Sequence, residues 1–268
     1  MAQDIKSLRT RIKSVTSTLH LTKAMGLVAS SKIRRATEAM NKGRQYEAAV
    51  RDAVSLLTQS PECAKSPYMQ KKDGGKTEIV VIAGDRGLAG GYNANVFRLA
   101  KEYANAEYIG IGKRACDRYG TKLLRAEGFS YSEAMEIAKK LCDDFASGEY
   151  ERIGIICTKY VSMMSQEAEI KWILPLEKTE AKQSAGVIFE PDELTILNGA
   201  VLEYVTGILV ASVRESFTSE VAARRCAMDS AGKNAQEMID SLSLRYNRAR
   251  QSAITQEITE IVAGSGEQ

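Results

Sequence analysis

From Asp192 onward this 268-residue chain contains no proline, and as far as Ala263 glycine occurs only at Gly199, Gly207 and Gly232. Proline removes a helical hydrogen bond and clashes with the preceding turn, and glycine weakens a helix interior. Their scarcity predicts one helix over residues 192–263. At 1.5 Å per residue it is ~105 Å long, wider than a globular domain. Such a helix protrudes, pairs with another helix, or enters another protein.

The N-terminus offers a partner. Apolar or small residues recur in alternating steps of three and four: Ile5, Leu8, Ile12, Val15, Leu19, Thr22, Gly26, Ala29, Ile33, Ala36, Met40 and Gly43. The pattern resumes at Val50, Val54 and Leu57, with Glu47 as an exception. A seam of period 3.5 held over this many heptads predicts a coiled-coil helix over residues 1–60. Pro61, Pro67 and Gly74-Gly75 end it. Residues 1–60 hold eleven Lys and Arg against four Asp and Glu, a net +7, whereas residues 192–268 hold seven against eleven, a net −4. The opposite charges suit two segments lying side by side. Lys6, Arg9, Arg11, Lys13, Lys23, Lys32, Arg34 and Arg35 lie off the seam, as a solvated face or as a stripe facing an acidic partner.

Between the helical ends, residues 76–176 read as a compact α/β domain. Strands at Thr77–Ala83, Tyr108–Ile111, Arg152–Cys157 and Ala168–Leu174 alternate with helices through Tyr103, over Lys113–Arg125 and over Ser132–Phe145. This order predicts a small, mostly parallel, doubly wound, Rossmann-like sheet. The fold class is therefore α/β, with long helices from both termini around an inserted domain.

Chemistry is scarce. Gly84 to Gly91 follows a strand and precedes a helix, but Tyr92 stands where a phosphate loop needs lysine and a hydroxyl. Gly110-Ile-Gly112-Lys-Arg-Ala115 fits GxGxxA, yet the segment about twenty residues on, Ser132 to Glu136, is helical, where a dinucleotide fold needs a strand ending in an acid. Both pieces read as tight turns. Asp143-Asp144 and Asp192-Glu193 are adjacent helical pairs that point different ways. Pro191-Asp192-Glu193 reads as a helix start. His20 is the only histidine, which disfavours a multi-histidine metal site or a triad. The five cysteines are odd in number and lack CxxC spacing, so they read as idle thiols. No catalytic residue, metal or cofactor is expected. The longest apolar run, Gly199–Ala211, is broken by Glu203 and falls short of ~20 residues, so no span is expected. The Arg- and Ser-rich start mimics a transit peptide, but its periodicity continues too far. A net charge of +3 gives no case for nucleic acid.

Several longer motifs carry a resemblance. Ser219-Glu220-x-Ala222-Ala223-Arg224, Ala227-Met228, Asn234-Ala235, Tyr246-Asn-Arg-Ala-Arg-Gln251 and Ile254-Thr-Gln-Glu257-Ile258 stand at one end. Arg11-Ile12, Leu21-Thr-Lys-Ala-Met25, Val28-Ala29, Lys32 and Arg34-Arg35 stand at the other, with Asp85-Arg-Gly-Leu88 and Gly90-Gly-Tyr-Asn93 between. Over essentially its whole length the chain resembles the gamma subunits of bacterial F-type ATP synthases. The resemblance implies an antiparallel coiled coil of the two terminal helices. It implies a rotating shaft inside a ring of alpha and beta subunits, with the epsilon subunit and the membrane c-ring below. Rotation would couple ion flow to ATP synthesis or hydrolysis, with no active site in this chain. By motif match, beta-subunit contacts fall at Lys23, Met25, Arg34, Arg35, Arg86, Arg250 and Gln251. The implied location is the cell membrane, peripheral, on the cytoplasmic side. His20, Val221 and Arg225 depart from the family's usual residues. So does the polar end Gly264-Ser-Gly-Glu-Gln268, where many relatives finish apolar and enter a collar. No insertion with a regulatory cysteine pair is present. Two rival readings remain at this point: a nucleotide-binding enzyme with helical arms, and a coiled-coil scaffold with no rotary role.

Overall fold

The computed structural model describes residues 2–72, 74–178 and 189–265, with side chains of 2, 3, 264 and 265 excepted. The elements in order are α1 (Ala2–Leu57), a 3₁₀ turn (Pro61–Lys65), β1 (Lys76–Ile82), α2 (Tyr92–Lys101), β2 (Glu107–Ile111), α3 (Lys113–Tyr119), α4 (Tyr131–Ser147), β3 (Tyr150–Tyr160), β4 (Gln166–Leu174) and α5 (Glu193–Ser265). They form two compact units. One comprises residues 1–29 with 225–268, the other residues 30–224.

In the first unit two helical segments pair. A Cβ built on Gly26 meets that of Met228 at 3.7 Å, and one on Gly232 meets Thr22 at 3.7 Å and Leu19 at 3.9 Å. Rising numbers on α1 face falling numbers on α5, so the pair is antiparallel. On α5 the covered positions include Met228, Gly232, Ala235, Ile239, Leu242, Tyr246, Ala249 and Ala253, again in alternating steps of four and three. On α1 they include Ile5, Leu8, Ile12, Val15, Leu19, Thr22, Gly26 and Ala29, the seam read from sequence. That seam is a coiled-coil interface. Ile254, Ile258, Ile261 and Val262 continue the apolar pattern as further seam, but all four are exposed. In the antiparallel register the described part of α1, from Ala2, reaches along α5 only to about Ala253. The polar end at 266–268 lies outside the described residues.

The second unit is built on a four-stranded sheet, ordered β2-β1-β3-β4. β1 runs parallel to both β2 and β3, and β4 is antiparallel to β3. Strand side chains alternate between faces. Val80, Ile82, Ile153, Ile155 and Cys157 pack with α4 and with the Leu197–Val213 part of α5. Ile79, Val81 and Ile156 pack with α2 and α3. The sheet is therefore covered on both faces, as a parallel sheet requires. One 18-residue stretch of α5 has a mean hydropathy of 1.7, enough to cross a membrane by composition, despite Glu203. About two thirds of it is buried inside the fold, because Val201 to Val213 forms one wall of this core.

The helix ends have local causes. Ser130 and Glu133 form a capping box on α4. Asp192 caps α5 by accepting from the Thr195 amide at 2.9 Å and its hydroxyl at 2.8 Å, which holds the carboxyl below its ordinary range. The sequence predicts α3 as far as Arg125. It stops at Tyr119, because Gly120 takes a left-handed conformation with φ 66° and the chain turns there.

Candidate functional site

The two glycine loops hold the sheet to the long helix. Asp85 accepts from the amides of Lys113 at 3.0 Å, Ala126 at 3.2 Å and Glu127 at 2.8 Å. The first amide of α3, which a bound pyrophosphate would use, is thus already taken by a carboxylate of the chain itself. Gly112 has φ 88°, and a Cβ there would lie 1.9 Å from the Ala83 carbonyl oxygen. Only glycine fits, and what it admits is the backbone of Ala83, just after β1. Asn93 closes the loop by accepting from the Gly84 amide at 2.8 Å.

Behind this loop stands the middle of α5. A Cβ on Gly84 would meet the Glu220 carboxylate at 2.9 Å. Glu220 is buried and paired with Arg224, which also donates to the Gly87 carbonyl at 3.3 Å. Burial raises the Glu220 pKa above the usual carboxylate range, and Arg224 opposes that rise. One helical turn earlier, Ser216 Oγ accepts from the Thr158 amide at 3.0 Å, and Ser219, next to Glu220, donates its Oγ to the Thr158 carbonyl at 3.2 Å. Buried Glu215 accepts from the Tyr160 amide at 3.1 Å and from Arg44 of α1 at 2.6 Å, with Lys171 of β4 at 3.6 Å. One face of α5 therefore grips the end of β3, the glycine loop, α1 and β4 together. Sequence reasoning singled out Ser219, Glu220 and Arg224 by resemblance and gave Glu215, Ser216, Arg44 and Lys171 no role. The available signal was a glutamate at the end of an otherwise apolar run.

Burial pushes both Cys142 and Cys157 up to about 12, so they stay protonated at neutral pH.

The expected partner residues fall into separate places. In the first unit, Lys23 is exposed and Met25 half-buried on α1, while Arg250 and Gln251 are exposed on α5. Gly26 faces Met228, so Arg250 lies roughly 30 Å from Lys23 along the helix pair. These four residues form two patches, not one. In the second unit, Arg34 is exposed and loosely paired with Glu38 at 3.8 Å. Arg35 stands at the edge of a cleft between α1 and α5. Arg86 projects from the glycine loop, where its carbonyl accepts from Asn93 at 3.4 Å. The first unit also leaves large apolar side chains in the open, with Leu27 73% and Leu244 62% exposed.

The fold is that of a family with two long terminal helices and an α/β unit between them in the chain. The family model described as ATP synthase matches residues 4–266. Curated relatives include the ATP synthase gamma chain of Ruminococcus albus, 40% identical over 98% of both chains. Another is the sodium ion specific ATP synthase gamma chain of Acetobacterium woodii, 35% identical over 99% of both. This chain belongs to the ATP synthase gamma family and is a non-catalytic subunit of that complex. Among solved structures, a chain of the Euglena gracilis mitochondrial ATP synthase (OSCP/F1/c-ring, rotational state 3) has the same fold, with a TM-score of 0.68 at 18% identity. The match covers 98% of this chain and 94% of that one.

Proposed function

We propose that this chain is the central rotor shaft of a bacterial F-type ATP synthase. In this reading the paired helices turn inside a ring of alpha and beta subunits. The second unit, with the epsilon subunit, rests on the c-ring at the cytoplasmic side of the cell membrane. Ion flow through the c-ring turns the shaft, and the turning shaft drives ATP synthesis at the beta subunits. Hydrolysis runs it backwards.

The observation that carries this reading is the antiparallel seam joined to a whole-length family match. A shaft must resist twisting, and a proline-free pair with small residues at the seam lets two backbones approach and stay straight. It must also pass torque from its base. The Glu215–Glu220 face supplies that, because the sheet cannot slip on α5 without stripping buried carboxylates of their partners. The outward apolar side chains and cations of the first unit suit an enclosing sleeve with acidic loops. Lys23, Met25, Arg34, Arg35, Arg86, Arg250 and Gln251 are the proposed beta-facing residues. Since they form separate patches, more than one beta subunit or segment would meet them at once.

Assembly of the chain with alpha and beta subunits, fixed to a surface, and with a bead on α4, tests this. Unidirectional bead rotation on ATP addition is expected. A bead that stays still while ATP is hydrolysed would refute the rotor role.

A further inference from the structure

We propose that the cleft between α1, the 126–129 loop and α5 binds a small amphiphilic carboxylate, with its alkyl tail inside and its carboxylate between Arg35 and Arg214. The cleft lies wholly in the second unit and holds about 350 Å³, within the range of small-molecule sites. Its floor is apolar: Ala36, Ala39, Phe129, Val210, Val213 and Phe217. Two alanines face it from α1 where larger side chains would fill it. The loop on its third side is fixed, since Asp85 holds the amides of Ala126 and Glu127, so the space does not close by loop collapse.

Its mouth is cationic. Lys32, Arg35 and Arg214 all border the cleft, and the one acid there, Glu127, is already paired with Lys32. Among the described residues no carboxylate lies within ion-pair reach of Arg35 or Arg214; neighbouring Arg34 and Glu215 have partners of their own. Two unpaired guanidinium groups beside an apolar hollow match a ligand with one anionic head and one apolar tail. Guanidinium groups bind carboxylates through two parallel hydrogen bonds. A neutral or cationic amphiphile gains the tail contacts without that pairing. The inference does not rest on the rotor reading, although Arg35 figures in both, and its test uses the chain alone.

Calorimetric titration of decanoate into the full-length chain is the test, with decanol and decyltrimethylammonium as controls. One saturable site is expected for decanoate, with decanol weaker and decyltrimethylammonium weakest. The paired change Arg35→Gln with Arg214→Gln should weaken decanoate about tenfold, about 1.4 kcal/mol, and leave decanol unchanged. Ala39→Phe should fill the hollow and abolish binding of both. Because Arg35 and Arg214 are exposed, the glutamine pair carries the test even if Ala39→Phe loses helical circular dichroism. Unsaturable decanoate uptake, decanol binding as tight as decanoate, or indifference to the glutamine pair would each overturn the site.

Discussion

The two units solve opposite problems with the same two helices. In the second, α5 is a core helix: Leu197 to Val213 is walled in by a sheet, and even its carboxylates at 215 and 220 are buried with partners. In the first, the same helix covers a single narrow seam and leaves Leu244, Ile254, Ile258 and Ile261 in the open. A sheet-backed unit buries enough apolar surface to hold its own shape. A bare helix pair buries little per residue, so much of its order must come from whatever surrounds it. The contrast teaches that one continuous helix serves as a core anchor over one stretch and as an exposed helix-pair surface over the next.

Mutations can sharpen or break that contrast, and the largest effect belongs in the second unit. Gly112→Val puts a branched side chain at φ 88° and drives its Cβ into the Ala83 carbonyl. A loss of about 4 kcal/mol or more is expected, read as failure to fold or a collapse of the thermal midpoint. The matching change in the first unit, Gly26→Ala, meets Met228 at an ordinary 3.7 Å and should stabilise the helix by about 0.5–1 kcal/mol. Equal effects from the two would erase the distinction.

Next is Glu215→Ala, which removes the buried carboxylate that Arg44 and Lys171 share, leaving Lys171 the longer contacts to Glu47 and Glu169 and Arg44 its bond to the Tyr160 carbonyl. About 3 kcal/mol is expected, with faster hydrogen exchange at the Tyr160 amide that Glu215 now holds. If urea unfolding moves by less than half that, the clamp does not anchor the sheet.

A smaller effect concerns pH. Burial raises the carboxyl pKa of both Glu220 and Glu78 in the folded chain. The unfolded state then loses these protons first, so their contribution is fullest below about pH 4.3 and declines as pH climbs through the raised folded values. Glu220→Gln should flatten part of that decline. An unchanged slope of stability against pH would show that Glu220 titrates normally.

The smallest effect is at the surface. Arg34 is 85% exposed and loosely paired, and one such contact is worth about 1 kcal/mol or less. Arg34→Ala should leave most ATP-driven coupling intact in the assembled complex. A severe loss with assembly intact would mean that one arginine outweighs its patch.

The sequence was informative where periodicity alone decides. Every α1 seam position from Ile5 to Leu57 is buried or half-buried, because a heptad pattern reports which face is covered. It was uninformative where the outcome depends on a distant partner. Ile254 to Val262 continue the pattern, yet periodicity cannot reveal that these side chains stay exposed. Glu215 meets Arg44 and Lys171 only after folding, and no local spacing links 44, 171 and 215. Gly120 ended α3 by a single left-handed residue inside an otherwise helical composition. Of the residues expected to meet a partner, resemblance supplied the names and the fold supplied their separation into patches.

Hydrogen exchange on the free chain and on its complex with alpha and beta subunits tests the central contrast most directly. In the free chain, amides of residues 2–29 and 225–265 should exchange far faster than those of β1 and β3. In the complex the helix pair should slow at least about tenfold, while the sheet barely changes. A helix pair already as protected as the sheet in the free chain, or one left unprotected in the complex, would contradict the account.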